Sequence, residues 1–365
     1  MRLLRGIGAF LVATLVFLAI AELGLRVWLA NHVIYDVEMS RYAQLVKLES
    51  PNPEIGHVHR PGAQAHLMGV DVTINSDGLR DVEHTRERRA DGRKRIAVLG
   101  DSLTFGWGVE REDTFAALLG GLLGGDRAVE IVNFGTGNYD TTQEVALFRE
   151  KGLAYRPDEV FLFYFINDAE PVPRKSPLAF LANFRVTTFY WSRLRELFSS
   201  RSGNEDFRTY YANLYRDGAP GWEATRKALR DLAALCRERG IALRVVLLPE
   251  LHDLVDYPFQ EAHEKVARVL RDENVPVLDL APAFADQRDP HSLWVSLDDA
   301  HPNAKAHRLI AERSAAFLRG DGAAPSAANA TPPKPSTTAG EATAGDAAAP
   351  REASAAPAPA PAPAR

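Results

Sequence analysis

The 365-residue chain has a single cysteine, Cys236, which excludes an intrachain disulfide. "RDLAALCRERG" places it at helical spacing with Leu232 and Leu235, so a small buried core residue is expected rather than a catalytic thiol. A dominant charge is equally lacking. The 43 Lys+Arg against 48 Asp+Glu leave a formal charge of -5, too weak a field to argue for a nucleic-acid partner. No Gly-Lys-Ser/Thr stands at phosphate-loop spacing and no Gly-x-Gly-x-x-Gly follows a strand candidate, which argues against nucleotide binding. Two residues beyond Ser102 stands Thr104, not glycine, so the Gly-x-Ser-x-Gly elbow of the α/β-hydrolases is absent. His57, His59 and His66 have no carboxylate or cysteine cluster beside them; they read as exposed strand histidines, and no metal or other cofactor is expected.

The two ends differ from the middle. From Gly320 onward there is no Leu, Ile, Val or aromatic residue, so residues 320–365 cannot repay the entropy of ordering and are expected to be a disordered Ala/Pro-rich tail. At the other end, residues 1–30 open with Arg2 and Arg5 and run uncharged from Gly6 to Ala21. With Arg5 and Glu22 at the interfaces, Leu3 to Leu25 reaches the ~20 residues that span a bilayer. Ala19-Ile20-Ala21 also fits a signal-peptide cleavage site, but hydrophobicity continuing through Leu23, Leu25, Val27, Trp28 and Leu29 favours an uncleaved anchor. In both readings the arginines stay in the cytoplasm and the rest is exported.

Between the ends, short apolar runs alternate with helical patterns. Strands are expected at 95–100, 128–135, 159–165, 242–249 and 275–280, and helices at 114–123, 142–151, 224–238, 261–272 and 304–318. Thr141-Thr142-Gln143-Glu144 fits a capping box. Continuously apolar strands alternating with helices predict an α/β fold, one three-layer α/β/α domain over 94–319 on a mostly parallel five-stranded sheet. Residues 31–93 read as a small β-rich lead-in ending in a charged linker. Residues 169–222, crowded with aromatics, read as an insertion that forms a lid or pocket wall, or that packs onto the domain.

Ligands of open parallel sheets sit at the carboxyl ends of the strands. Those ends carry Gly100-Asp101-Ser102-Leu103, Asn133-Phe134-Gly135-Thr136-Gly137-Asn138 and Phe165-Ile166-Asn167-Asp168, and before the last helix stands "SLDDAHPN". Each fragment alone could be a turn or a cap. Together they supply a hydroxyl, a base, a carboxylate and oxyanion donors at one edge, the parts that serine acyl transfer needs. His252, in "LLPELHDL", is a rival base at the same edge.

"GDSLTFGWG", "NFGTGN", "FIND" and "DDAHPN" resemble, in order, the four sequence blocks of the GDSL esterases, also called SGNH hydrolases, over about residues 95–318. The resemblance implies a flavodoxin-like sheet with Ser102 as nucleophile, His301 as general base and Asp298 orienting the imidazole. It further implies oxyanion donors from the backbone N–H of Ser102 and Gly135 and the side-chain amide of Asn167, with Asp101 and Asp168 in support. Phe165 stands where the family usually has glycine, which would narrow the acyl pocket or shift the Asn167 loop. A membrane-anchored subset with an "INSDGLRD"-like lead-in is similar over a longer stretch. The expected reaction is hydrolysis of an O-acyl, foremost O-acetyl, ester on a cell-envelope glycan or lipid-like substrate at the outer side of the inner membrane. An O-acyltransferase and a catalytically silent glycan-binding scaffold are the alternatives.

Overall fold

The computed structural model describes residues 2–29, 33–87, 92–124, 129–171, 184–201 and 207–320. The Ala/Pro-rich tail after Gly320 and parts of the expected insertion lie outside the described residues.

The first helix is α1 (Arg2–Leu29), whose stretch Arg5–Leu29 is long and apolar enough to cross a membrane and meets the other described residues near its end, where Glu22 and Trp28 contact residues 185–189. The lead-in that follows is mixed rather than mainly β. Asp36 and Glu38 in the first turn favour helix α2 (Tyr35–Leu45), which buries Val37, Met39 and Tyr42. Two small antiparallel pairs come next: β1 (Lys47–Glu49) with β2 (His57–His59), and β3 (Gln64–Leu67) with β4 (Val70–Thr73).

The central sheet starts at β5 (Lys94–Leu99) and continues through α3 (Ser102–Phe105), α4 (Phe115–Leu122), β6 (Val129–Asn133), α5 (Thr141–Glu150) and β7 (Glu159–Tyr164). After β7 come α6 (Arg185–Arg201), α7 (Phe207–Leu214) and α8 (Pro220–Arg239). Then follow β8 (Ala242–Leu247), α9 (Gln260–Asp272), β9 (Val277–Asp279) and α10 (Ala281–Phe284). A hairpin of β10 (Trp294–Ser296) and β11 (Asp299–Pro302) leads into α11 (Ala304–Arg319). The five sheet strands are all parallel in the order β6-β5-β7-β8-β9.

Both faces of this sheet are covered, which is why its strands are mostly apolar. Ile96, Val98, Phe161 and Phe163 pack with residues of α4 and α11, whereas Ala97, Leu99, Val160 and Leu162 pack with residues of α5, α8 and α9. Cys236 on α8 belongs to the second of these cores, and burial pushes its thiol up to about 12. The capping box of α5 forms one residue earlier than expected. Asp140 is the cap and Gln143 closes the box, because a carboxylate at that position accepts the Gln143 N–H at 2.9 Å. β5 has β6 on one side and β7 on the other, so the chain reverses its direction of winding there, and the loops after β5 and β7 flank the crevice where such sheets bind ligands.

Candidate active site

β5 ends at Gly100, whose φ of +154° suits glycine and whose missing side chain lets Thr104 Oγ1 approach; an added Cβ would lie 2.0 Å from that atom. The chain then turns immediately into α3. Asp101 caps this turn by accepting the Leu103 N–H at 2.8 Å, which leaves Ser102 buried at its first position.

Ser102 Oγ lies 2.8 Å from His301 Nε2, and His301 Nδ1 lies 2.5 Å from Asp299 Oδ1. A carboxylate can only accept, so Nδ1 carries the proton and Nε2 is free to accept from the serine. The carboxylate is therefore Asp299 and not Asp298. The hairpin explains this: Ser296 pairs with Asp299, which leaves Leu297 and Asp298 at the exposed tip, while Asp299 and His301 share one face of β11. Trp107 Nε1 donates to the second oxygen, Asp299 Oδ2, at 3.0 Å and fixes the carboxylate.

Electrostatics follow from this packing. Burial opposes a charged imidazole, but the carboxylates of Asp299 and Asp101 outweigh it and hold His301 above its ordinary 6.5. For Asp299 burial acts upward, yet His301 and the hydrogen bonds it receives leave its carboxyl below the usual range. Tyr35, at the start of α2, stacks on the outer side of the His301 ring with centroids 5.9 Å apart.

The remaining expected residues divide. Asn167 follows β7, and its side chain lies near Asp101 beside the nucleophile turn, with its Oδ1 buried and without a hydrogen-bond partner among the described residues. Asp168 is buried and accepts Thr141 Oγ1 and the Phe165 N–H, each at 3.2 Å. Burial, together with Glu144 and Asp101, raises its carboxyl well above the usual range. Gly135 is placed differently from the expectation. Its N–H donates to Asn133 Oδ1 at 2.9 Å, and its Cα packs so tightly that a Cβ would lie 2.4 Å from Phe105 N. Asn133 Nδ2 donates to Thr104 O at 3.0 Å, so this loop braces the nucleophile turn from behind. Phe165 is half-buried and packs against both cores.

Several supporting residues escaped sequence reasoning. Arg80, from "INSDGLRD", is buried and donates to the carbonyls of Phe105, Gly106 and Val109, the last at 2.7 Å. Tyr42 OH takes the Gly137 N–H at 3.1 Å and lies 2.6 Å from His59 Nε2. His59 is buried, not exposed, and burial with the neighbouring Lys47 drives its pKa down to about 3, so it is a neutral structural link. The only signal for these roles was an Arg directly after a turn and a Tyr on an amphipathic helix.

A sequence model of the GDSL-like lipase/acylhydrolase family matches residues 98–309, more than half of the chain. The chain belongs to that family. It is thus a carboxylic ester hydrolase, and its parallel sheet is the scaffold on which this chemistry is mounted. Solved structures similar to this GDSL-family chain include a putative G-D-S-L lipolytic protein from Desulfitobacterium hafniense, 19% identical, with TM-score 0.41, covering 61% of this chain and 98% of that one. Another is a catalytic mutant of the acetylxylan esterase Axe2 from Geobacillus stearothermophilus, 18% identical, with TM-score 0.42, covering 65% and 97%. Similarity at this level carries no argument about substrate. A search of curated proteins finds no match.

Proposed function

We propose that Ser102, His301 and Asp299 form the catalytic triad of an esterase that removes a short O-acyl group, foremost acetyl, from a cell-envelope glycan. The observation that carries this reading is the unbroken chain from Ser102 Oγ through His301 to Asp299. As Oγ attacks the ester carbonyl, Nε2 takes its proton; the imidazolium returns that proton to the leaving alkoxide, and water repeats the cycle on the acyl-serine. The oxyanion faces the Ser102 N–H and the side-chain amide of Asn167, which stands beside the nucleophile turn.

Two features support the substrate class. Phe165 puts a ring, packed against both cores, where the family usually has glycine, and a bulky group beside Asn167 favours a short acyl chain over a long one. Tyr35 stacks on His301, and the chain from Leu29 to Tyr35 spans at most ~21 Å, so the site lies near the outer end of α1. With α1 in the cytoplasmic membrane and Arg2 and Arg5 inside, the site faces the envelope.

The test is fluorophosphonate labelling and release of acetate from O-acetylated glycan by the purified full chain. Labelling of Ser102 with acetate release supports the reading, whereas labelling elsewhere, or none with no ester turnover, overturns it. Acyl transfer to an added glycan that outpaces hydrolysis would mark an acyltransferase instead.

A further inference from the structure

Away from the catalytic edge, α1, α2 and α6 enclose a cavity of about 190 Å3. Its lining includes Arg26 at the outer end of α1, Ser40, Arg41 and Gln44 on α2, and Arg185 and Thr188 on α6. Three guanidiniums thus converge where two carboxylates are at hand, and both carboxylates are largely occupied. Glu22 accepts Arg26 Nε at 2.7 Å and the N–H groups of Arg185 and Val186 at 3.1 and 2.9 Å. Glu38 accepts Arg41 at 2.6 Å and the Met68 N–H at 2.8 Å. Arg185 has no ion-pair partner among the described residues, and Arg41 Nε is sealed from solvent with no acceptor. Burial, together with Arg41 and Arg26, holds the Arg185 guanidinium below its usual range despite the nearby Glu22 and Glu38 carboxylates.

The surroundings identify what kind of anion. Trp28 meets Phe189 edge-on at 6.2 Å, and beside them Phe184, Tyr190 and Trp191 are exposed. Such aromatics next to the end of an apolar helix mark the headgroup level of a bilayer. The cavity is roughly six times the ~30 Å3 taken by one water in the liquid, room for a phosphate with its ester arms.

We propose that this cavity binds the phosphate of an anionic lipid headgroup, with Arg41 and Arg185 as its principal ligands. The proposal rests on the reading of α1 as membrane-embedded. Its consequence is orientation: α2, which contributes Ser40 and Arg41 to the cavity, also carries Tyr35 against His301, so a bound headgroup fixes the active site's height above the membrane.

The test is native mass spectrometry of the full chain in detergent with equal phosphatidylglycerol and phosphatidylcholine. Each basic residue near an anionic lipid contributes about fivefold in binding. The wild type should retain phosphatidylglycerol about 25-fold over phosphatidylcholine, and Arg41→Gln/Arg185→Gln should reduce this below about twofold. Arg308→Gln, at an exposed position of α11, should keep the preference. Unchanged hydrolysis of p-nitrophenyl acetate shows that the double variant is folded. Equal retention by the wild type, or an undiminished preference in the double variant, overturns the headgroup site. Displacement of the lipid by equimolar inorganic phosphate would show a site for the free anion and overturn the lipid assignment. Release of the chain from membranes by carbonate is a separate readout: it overturns the anchor reading and the headgroup site with it, whereas retention without lipid preference overturns the headgroup site alone.

Discussion

Two histidines at the carboxyl edge of the sheet stand in nearly the same local arrangement. His301 follows Asp299 by two residues and His252 follows Glu250 by two, and in both pairs the backbone N–H and ring Nδ1 of the histidine meet the preceding carboxylate. They differ in what the second ring nitrogen and the ring faces meet. His301 Nε2 reaches Ser102 Oγ, whereas the His252 ring lies against Trp294 at 4.6 Å and Phe207 at 5.2 Å. An oriented imidazole is therefore cheap for a chain to build, since a carboxylate two residues earlier suffices. What is specific is the hydroxyl presented by the turn after β5, beside the crevice where the sheet reverses.

The largest predicted effect tests this comparison directly. His301→Ala should lower kcat for p-nitrophenyl acetate about a million-fold, as loss of a triad base does elsewhere, while His252→Ala stays close to wild type. A comparable collapse in His252→Ala would mean that the second pair, and not the first, supplies the base. Next in size is the choice between adjacent carboxylates. Asp299→Asn should cost about 10,000-fold in kcat, and Asp298→Asn almost nothing. Because Asp299 favours the imidazolium, its loss lowers the His301 pKa, so the ascending limb of the activity profile, which lies above pH 6.5 in the wild type, should move to lower pH. Asn167→Ala comes third, with kcat reduced roughly 100-fold to 1000-fold and KM little changed if the amide binds only the oxyanion.

The five strands and the helices between them were legible because burial on both faces leaves an unbroken apolar run that no other element imitates. That Ser102, Asn167 and His301 come together at one edge was legible, the first two because strand ends are where such sheets hold ligands and His301 from the motif before the last helix. Asp299 was not, since a two-residue hairpin turn decides which of two neighbouring aspartates points inward, and "SLDDAHPN" does not show where the turn falls. Gly135 was misjudged because glycine serves both an exposed N–H and a close approach, and here its closest contact is the backbone of Phe105. Arg80, Tyr42 and Tyr35 lay beyond reach because their partners are tens to hundreds of residues away in the chain.

The smallest predicted effect asks what the lead-in contributes to the pair that works. Tyr35 covers His301 with its ring and makes no hydrogen bond to it, and such a ring contact is worth about 0.5 to 1.5 kcal/mol, or roughly 2-fold to 10-fold in kcat/KM. Tyr35→Phe should therefore be neutral and Tyr35→Ala mildly impaired. The pH profile separates loss of packing from loss of charge. Removing the ring lets water reach the imidazole, relieving the burial that lowers its pKa, so the ascending limb should move to higher pH, opposite to Asp299→Asn. A limb that stays in place in Tyr35→Ala would mean that the ring only steadies the loop; a shift to higher pH would mean that α2 helps set the poise of the base.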